Sequence, residues 1–403
     1  MDYKNDTKKY FKFSAITLII LFLLFLFNFT IFVCIANADS ERVSPSFVYN
    51  TAWNLINEKF YFKSKVNLKR WQNKYERKVE NINDAHDKIR KLVKTLNDPY
   101  TRFLTKEEFK DEEDIIKSTL TGVGIKIAND KPVILDILSE SPADKGDIRP
   151  NDYLVAVNDT STRNLKTDQI INLLRGPKDS DISLTLKRKD DIITKTLKRE
   201  ELKIKPVTVK RLNSDIALIK IDTFIPQNTS DIFKEELIQL MSASGIILDL
   251  RNNSGGLFKN AIEIADMFLS EGKIVSTTNI SGKTNEYANS NRLSDSNVVI
   301  LVNEYTASAS EILASALKEN KRAYVIGKKT YGKGLVQEII ELPDKTALHI
   351  TIAAYFTPSG KNINKKGLVP DEIITSEEKQ IKRAEEILLS KEKNRHKATI
   401  ALL

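Results

Sequence analysis

The sequence predicts an α/β multidomain protein, and three observations carry that prediction. The chain has 403 residues, more than one hydrophobic core usually organises. From about Glu201 onward, short runs rich in branched apolar residues alternate with segments whose apolar residues recur at helical spacing, the pattern of strands and helices in layers. Before that, Val43 to about Lys117 reads as helical, and a glycine-punctuated stretch separates the two. The expected units are residues 1–38, 43–117, 118–200, 201–375 and 376–403.

The first unit is an export segment. Phe13 to Ala38 carries no charge and follows Lys4, Lys8, Lys9 and Lys12. Ala36-Asn37-Ala38 supplies an A-x-A cleavage site, yet Ala15 to Ile35 is long enough to span a bilayer, so a cleaved signal peptide and an uncleaved anchor both stand. Cys34, the one cysteine, falls inside this segment, and the bulky Ile31-Phe32-Val33 before it makes a poor lipidation site. The exported part therefore holds no disulfide and depends on core burial. The formal charge of +9 comes from 63 basic and 54 acidic residues that are interspersed, with no aromatic-interleaved basic patch. No nucleic-acid partner is expected. A basic exterior suits anionic membrane surfaces or acidic substrate tails better.

In the helical region Trp53, Ile56 and Phe60 share one face, and Ile89, Leu92, Val93 and Leu96 another. Asn97-Asp98-Pro99-Tyr100 ends it as a turn, with packing and substrate framing as its expected roles. The next unit opens on Leu120-Thr121-Gly122-Val123-Gly124-Ile125. Glycines at this spacing let successive N–H groups converge on one concavity, a nest for a terminal carboxylate. The stretch resembles the carboxylate-binding loop of PDZ domains. Ser141-Pro142-Ala143, Arg149 to Leu154 and Thr167 to Leu174 resemble their later turns and groove helix. Two departures stand out: Lys145-Gly146-Asp147-Ile148 replaces the usual K-A-G-I, and Asn151 replaces a glycine. Asparagine tolerates positive φ, so the second turn is expected intact.

In the third unit Ile216 to Ile221, Ile246 to Leu250 and Val298 to Val302 read as buried strands. Phe258, Ala261, Ile262, Ala265, Phe268 and Leu269 make one helix face. Between a strand and that helix lies Asp249-Leu250-Arg251-Asn252-Asn253-Ser254-Gly255-Gly256. A Gly-Gly turn entering a helix offers free N–H groups, which an oxyanion requires; a plain turn is the alternative. Ile339 to Leu342 and Ala347 to Ala354 flank Pro343-Asp344-Lys345 as a hairpin, with His349 on a strand face. Ser376 to Lys391 forms a charged amphipathic helix. No metal-ligand spacing or phosphate loop occurs, so no cofactor is expected.

The centre of this unit is Ser308. Ala309, Ile312, Leu313, Ala316 and Leu317 begin a helix there, directly after the strand ending at Val302. A serine at such a junction is exposed by the sharp turn, next to first-turn N–H groups that favour negative charge. Ser308-Ala309-Ser310-Glu311 also fits a capping box. Lys333 lies twenty-five residues on, between Gly332 and Gly334. It acts as a base only when neutral, which burial promotes. Gln337, four residues further in an extended segment, points to the same side and can orient the amine. A solvated hairpin turn is the other reading of Gly-Lys-Gly.

Taken together, Thr306 to Glu311, Gly332-Lys333-Gly334 and Val336-Gln337 resemble the signature of the carboxyl-terminal processing peptidases. Asp98 to Thr101, the Asp249 to Gly256 element, Thr357-Pro358-Ser359-Gly360 and Gly367 to Asp371 resemble their other motifs. The resemblance implies a helical N-terminal region, a PDZ domain and an α/β spiral peptidase core. It implies Ser308 as nucleophile, Lys333 as general base and Gln337 as its support, with the N–H groups of Gly255, or else Gly256, and Ala309 as oxyanion hole. Gly122, Val123 and Gly124 would bind the free apolar C-termini of protein or peptide substrates. Members in cyanobacteria and chloroplasts process a photosystem II reaction-centre precursor in the thylakoid lumen, which implies that lumen or the periplasm as location.

Overall fold

The computed structural model describes residues 43–400 apart from 76–78, 118, 129–130, 204, 214 and 291. Residues 1–38, expected from the sequence to be an export segment, lie outside the described residues, among which no helix is long and apolar enough to cross a membrane.

The described chain opens with α1 (Pro45–Lys59), α2 (Leu68–Tyr75) and α3 (Ile82–Thr95). Ser44 caps α1 and Pro45 occupies its first turn, where a missing N–H costs nothing. Asn81 caps α3 by accepting from the Asp84 N–H at 3.0 Å. Their apolar stripes meet, with Val48, Trp53, Ile56 and Phe60 against Ile89, Leu92, Val93 and Leu96. Asn97, at φ 52°, turns the chain. The region is not helical throughout, as its sequence suggested: strand β1 (Arg102–Leu104) precedes α4 (Lys106–Ile116). Three residues show no periodicity, and their pairing partner lies far along the chain.

The second unit runs β2 (Thr119–Gly122), β3 (Ile125–Ile127), β4 (Ile134–Ile137), α5 (Pro142–Lys145), β5 (Tyr153–Val157), β6 (Thr160–Ser161), α6 (Thr167–Leu174), β7 (Asp181–Arg188), β8 (Asp191–Lys198) and β9 (Glu200–Lys203). Strands pair in the order β6-β5-β7-β8, with β3 on β4 and β2 on β9. Both departures from the glycine pattern sit at positive φ, Asp147 at 56° and Asn151 at 73°. Asp147 is held there by Arg149 at 2.8 Å and Arg188 at 3.2 Å. Arg188 also donates to both carboxylate oxygens of buried Asp152 at 2.8 Å.

The third unit comprises β10 (Val207–Arg211), β11 (Ile216–Ile221), α7 (Thr229–Gln239), β12 (Gly245–Asp249), α8 (Phe258–Asp266), β13 (Lys273–Asn279), β14 (Gly282–Tyr287), β15 (Asn297–Val302), α9 (Ala309–Glu319), β16 (Ala323–Gly327), β17 (Leu335–Glu341), β18 (Ala347–Phe356), β19 (Glu372–Ile373) and α10 (Glu377–Ile400). Six strands form one sheet in the order β10-β11-β12-β15-β16-β19, parallel except for β10. Ile246, Leu248, Val298 and Ile300 face the core that includes α7, α8 and α9. Ile247, Val299 and Leu301 face Ala384 and Leu388 of α10. Helices on both faces explain why these strands are apolar without alternation. Helix α8 ends at Asp266, short of Phe268 and Leu269, which stay buried in the same core through the turn beyond it.

A second, antiparallel sheet has the order β1-β18-β13-β14, with β17 also on β18. Arg102 pairs with His349 and Leu104 with Ala347, so the N-terminal region shares a sheet with the C-terminal unit. The second unit touches the third through charge: Lys220 lies 2.6 Å from Asp136 and 2.7 Å from Asp222. Lys126 of β3 donates to the Asp222 carbonyl at 3.0 Å, and burial draws its pKa down to about 8.

Candidate active site

Ser308 sits between β15 and α9 with φ 56° and ψ −117°, a conformation that costs a non-glycine residue about 1–3 kcal/mol. The surroundings hold it there. The Ala307 N–H donates to the Asn253 carbonyl at 3.0 Å, the Thr306 hydroxyl to the Leu250 carbonyl at 2.8 Å, and the Tyr355 hydroxyl to the Ser308 carbonyl at 3.2 Å. Only half of a capping box forms. The Ser308 N–H donates to Glu311 Oε2 at 2.9 Å, while the Glu311 N–H donates to the Ser308 carbonyl at 2.9 Å rather than to its hydroxyl. Ser310, fully buried, spends its hydroxyl on the Asn253 carbonyl at 3.0 Å.

Glu311 ties this turn to the lysine loop. Its carboxylate is completely buried and accepts from the N–H of Ser308 and Lys333 at 2.9 Å, from the Gly332 N–H at 2.8 Å and from the Thr330 hydroxyl. Burial raises its pKa, and these donors oppose the rise. Glu311→Gln turns an amide nitrogen toward N–H groups that need an acceptor. The expected result is a loss of about 2–4 kcal/mol in stability, read by calorimetry, with at least a hundredfold fall in kcat.

The Gly-Lys-Gly loop is packed, not solvated. A Cβ on Gly332 would come within 2.6 Å of the Gly367 N–H, and one on Gly334 within 2.7 Å of the Asn364 N–H. The Lys365 N–H donates to the Gly332 carbonyl at 2.7 Å. The Lys333 amine lies over the Tyr100 ring, 5.1 Å from its centre. Burial, then the Arg102 cation, lowers its pKa against the pull of Asp98 and Glu311.

The backbones of Ser308 and Lys333 thus meet on one carboxylate, but no hydrogen bond joins their side chains among the described residues. No hydrogen bond joins Gln337 to the amine among the described residues either; the Gln337 amide donates to the Thr351 hydroxyl at 3.5 Å. The same-side argument assumed a regular strand. Lys333 lies outside β17, which begins at Leu335.

The glycine turn lies against the serine. A Cβ on Gly255, at φ 99°, would meet Ser308 Cβ at 2.8 Å and the Ala309 nitrogen at 2.9 Å, so only glycine fits. Its N–H, however, donates to Asn253 Oδ1 at 2.9 Å. Among the described residues no hydrogen bond uses the N–H of Gly256 or Ala309. In the second unit Gly124 takes φ 83°, and the carbonyls of Val123 and Gly124 accept from Ala143 and Leu138 at 2.9 Å. These bonds fix the loop that begins at Gly122 beside β3. Among the described residues no group of three or more His, Cys, Asp or Glu could hold a metal ion.

Tyr100 is the site residue that sequence reasoning passed over. The turn before it was legible, but not its destination. The Thr101 hydroxyl donates to Asp98 at 2.6 Å and accepts from the Thr351 N–H at 3.1 Å, which docks the turn on β18. Burial, then neighbouring Tyr331, pushes the Tyr100 phenol up to about 12.

A serine on a strained strand-to-helix elbow, an α/β sheet beneath it and an attached peptide-binding module define a PDZ-bearing serine peptidase. Comparison with known proteins agrees. Residues 215–374 match the model of peptidase family S41 and residues 133–188 that of the PDZ domain. The chain is 35% identical over 341 residues to a carboxyl-terminal-processing protease of Picosynechococcus, covering 81% of this chain and 82% of that one. It is 35% identical over 346 residues to the chloroplastic carboxyl-terminal-processing peptidase 2 of Arabidopsis thaliana, covering 79% and 67%. The solved photosystem II D1 C-terminal processing protease superposes with a TM-score of 0.69 at 30% identity, over 83% of this chain and 94% of that one. The chain belongs to the carboxyl-terminal-processing protease family.

Proposed function

We propose that the chain is an exported endopeptidase that trims protein C-termini by a Ser-Lys mechanism. The observation that carries this is the Glu311 carboxylate, which clamps the elbow of Ser308 and the loop of Lys333 together. Neutral Lys333, swung from the Tyr100 face to Ser308, takes the hydroxyl proton as Oγ attacks the scissile carbonyl. The oxyanion faces the Ala309 N–H and the Gly255–Gly256 turn, where Gly256 has the uncommitted N–H. Lys333 then returns the proton to the leaving amine, and water resolves the acyl-enzyme. Gln337, in β17 just after the lysine loop, supports the lysine. None of these steps requires a cofactor.

Substrates are proteins or peptides with free apolar C-termini, bound at Gly122, Val123 and Gly124 and added as a strand along β3. A photosystem II reaction-centre precursor is one such substrate, given the relatives' names. The apolar N-terminal segment supports export to a periplasm or thylakoid lumen and association with the membrane if it is retained. A peptide with a free apolar C-terminus is expected to bind about tenfold or more tightly than its amidated twin, because the nest loses a charged acceptor. Competition measured by fluorescence polarisation checks this, and equal affinities would remove the carboxylate-recognition reading.

A further inference from the structure

Charge is not evenly interspersed along the whole chain, as the sequence pattern suggested. Residues 58–78 hold eight basic and two acidic residues, a net +6 of the chain's +9. The stretch covers the end of α1, a 3₁₀ turn (Lys63–Lys65) and α2, and its cations alternate with Tyr61, Phe62, Trp71 and Tyr75. Lys65, Lys69 and Arg70 are exposed and Lys63 is half-buried. Among the described residues none of these four makes an ion pair. The Lys63 amine donates to the Asn57 carbonyl at 3.4 Å, and the Lys65 amine lies over the Phe62 ring, 4.9 Å from its centre. Other charges nearby are matched: Lys59 by Glu338 at 2.8 Å, Asp84 of α3 by Lys88 at 2.5 Å and Asp87 by Arg90 at 3.0 Å.

The fold puts this face where the chain enters. The Trp53 indole N–H of α1 donates to the Leu68 carbonyl at 2.9 Å, and the Tyr49 hydroxyl donates to the Trp71 carbonyl at 3.0 Å. Helix α2 thus runs back alongside α1 toward its first turn, where Phe47 is 57% exposed. Helix α1 begins at Pro45, a reach of at most about 25 Å from Ala38 even with the chain fully extended. An apolar segment held in a bilayer would keep α1 and α2 within that distance of its surface. Anionic headgroups attract cations within a Debye length of about 10 Å, and aromatic rings favour the headgroup layer. We propose that the face carrying Lys63, Lys65, Lys69 and Arg70 docks the enzyme on an anionic lipid bilayer.

This goes beyond attachment through the apolar segment, because the docking face belongs to the folded enzyme and acts whether that segment is retained or cleaved. It rests on the export reading for the tether alone, and not on the Ser-Lys chemistry. Lysine and arginine suit the role, since their stems lie along protein while their heads meet lipid phosphates with no built pocket. An acidic polypeptide offers the same charge, but the neighbouring apolar segment favours lipid.

The test is cosedimentation of the chain from Asp39 onward with vesicles of phosphatidylcholine, alone or with about one-third phosphatidylglycerol, at low and high salt. Cutting there removes the apolar segment and spares every residue of the four hydrophobic clusters. Each cation near an anionic surface is worth about fivefold in affinity. Anionic vesicles are expected to bind at least about a hundredfold more tightly than neutral ones at low salt, and high salt should abolish the difference. Lys63→Gln, Lys65→Gln, Lys69→Gln and Arg70→Gln combined should lower that affinity by about a hundredfold, with cleavage of a soluble peptide within about twofold of native. A control with Lys187→Gln, Lys189→Gln, Lys198→Gln and Lys210→Gln removes the same charge from exposed positions in the second and third units. It should change binding by less than about threefold. Equal binding to both vesicles, a four-residue face variant that binds like the native chain, or a control that loses as much overturns the proposal. So does binding to polyglutamate without binding to vesicles, which makes an acidic polypeptide the partner. Failure at the vesicles beside normal cleavage removes the docking face alone. The export reading is decided separately, by whether the full chain is cleaved after Ala38 or recovered with the membrane.

Discussion

Ser308→Ala is expected to lower kcat by at least about 10⁴-fold while leaving the thermal transition in place or slightly raised. The rate falls because no other group can form the acyl-enzyme, and what remains is the contribution of binding and the oxyanion donors. Stability is spared because the hydroxyl caps nothing: the helix start is held by the Ser308 N–H and carbonyl, which alanine keeps. The instructive control is two residues away. Ser310→Ala removes a buried hydrogen bond to Asn253, so it should cost about 1–2 kcal/mol of stability and retain most of the activity. Steady-state kinetics and calorimetry on the two purified variants read both effects. An inactive Ser310→Ala beside an active Ser308→Ala would transfer the nucleophile to the wrong side of the elbow and refute the assignment.

Lys333→Arg is expected to be as damaging, at about 10⁴-fold in kcat, although it preserves charge. A guanidinium stays protonated and has no lone pair to offer the serine. For the native enzyme the sign of the pH dependence comes from the same requirement. The folded pKa of Lys333 lies below that of an ordinary lysine because of burial and Arg102, and the active form is the deprotonated one. Activity therefore rises with pH through that lowered pKa, with the inflection on the acid side of the ordinary lysine value. A kcat/KM profile that falls over this range, or an arginine variant that still cleaves, would sink the lysine as base.

What could be read from the sequence depended on whether local pattern or distant pairing decided the outcome. β11, β12 and β15 are continuous apolar runs because helices cover both faces of their sheet, and that signal is local. α9 announces itself through Ile312, Leu313, Ala316 and Leu317. The conformation of Ser308 is not visible in Ser-Ala-Ser-Glu, which reads equally well as a cap, because the elbow is imposed by Asn253, Leu250 and Tyr355 from elsewhere. β1 went unseen for the same reason: its three residues find their partner in β18, far away in sequence. The Gly255 N–H is taken by the side chain of Asn253, and no spacing rule reports which N–H a neighbouring asparagine takes. Gln337 was placed by assuming that one strand carries both residues, whereas β17 begins at Leu335, two residues after the lysine. Glu311 was visible as part of a capping motif, but its second partner, the lysine loop, was not.

The pairing of β1 with β18 and of β2 with β9 gives the molecule a nested topology. Thr119 to Gly122 lies antiparallel to Glu200 to Lys203, so the PDZ domain enters and leaves through a two-stranded neck. It is a cassette spliced into the catalytic fold, which is itself assembled from sequence on both sides of the splice. A chain begun at Glu201 would carry the serine, the lysine and both glycine turns. It would lack Tyr100, on which the amine rests, and would leave Ala347 to His349 as a bare sheet edge with Leu348 and Ile350 stripped of their cover. The span that matches peptidase family S41 is therefore not a separable catalytic body, and the helices at the start of the chain belong to the enzyme rather than to its packaging.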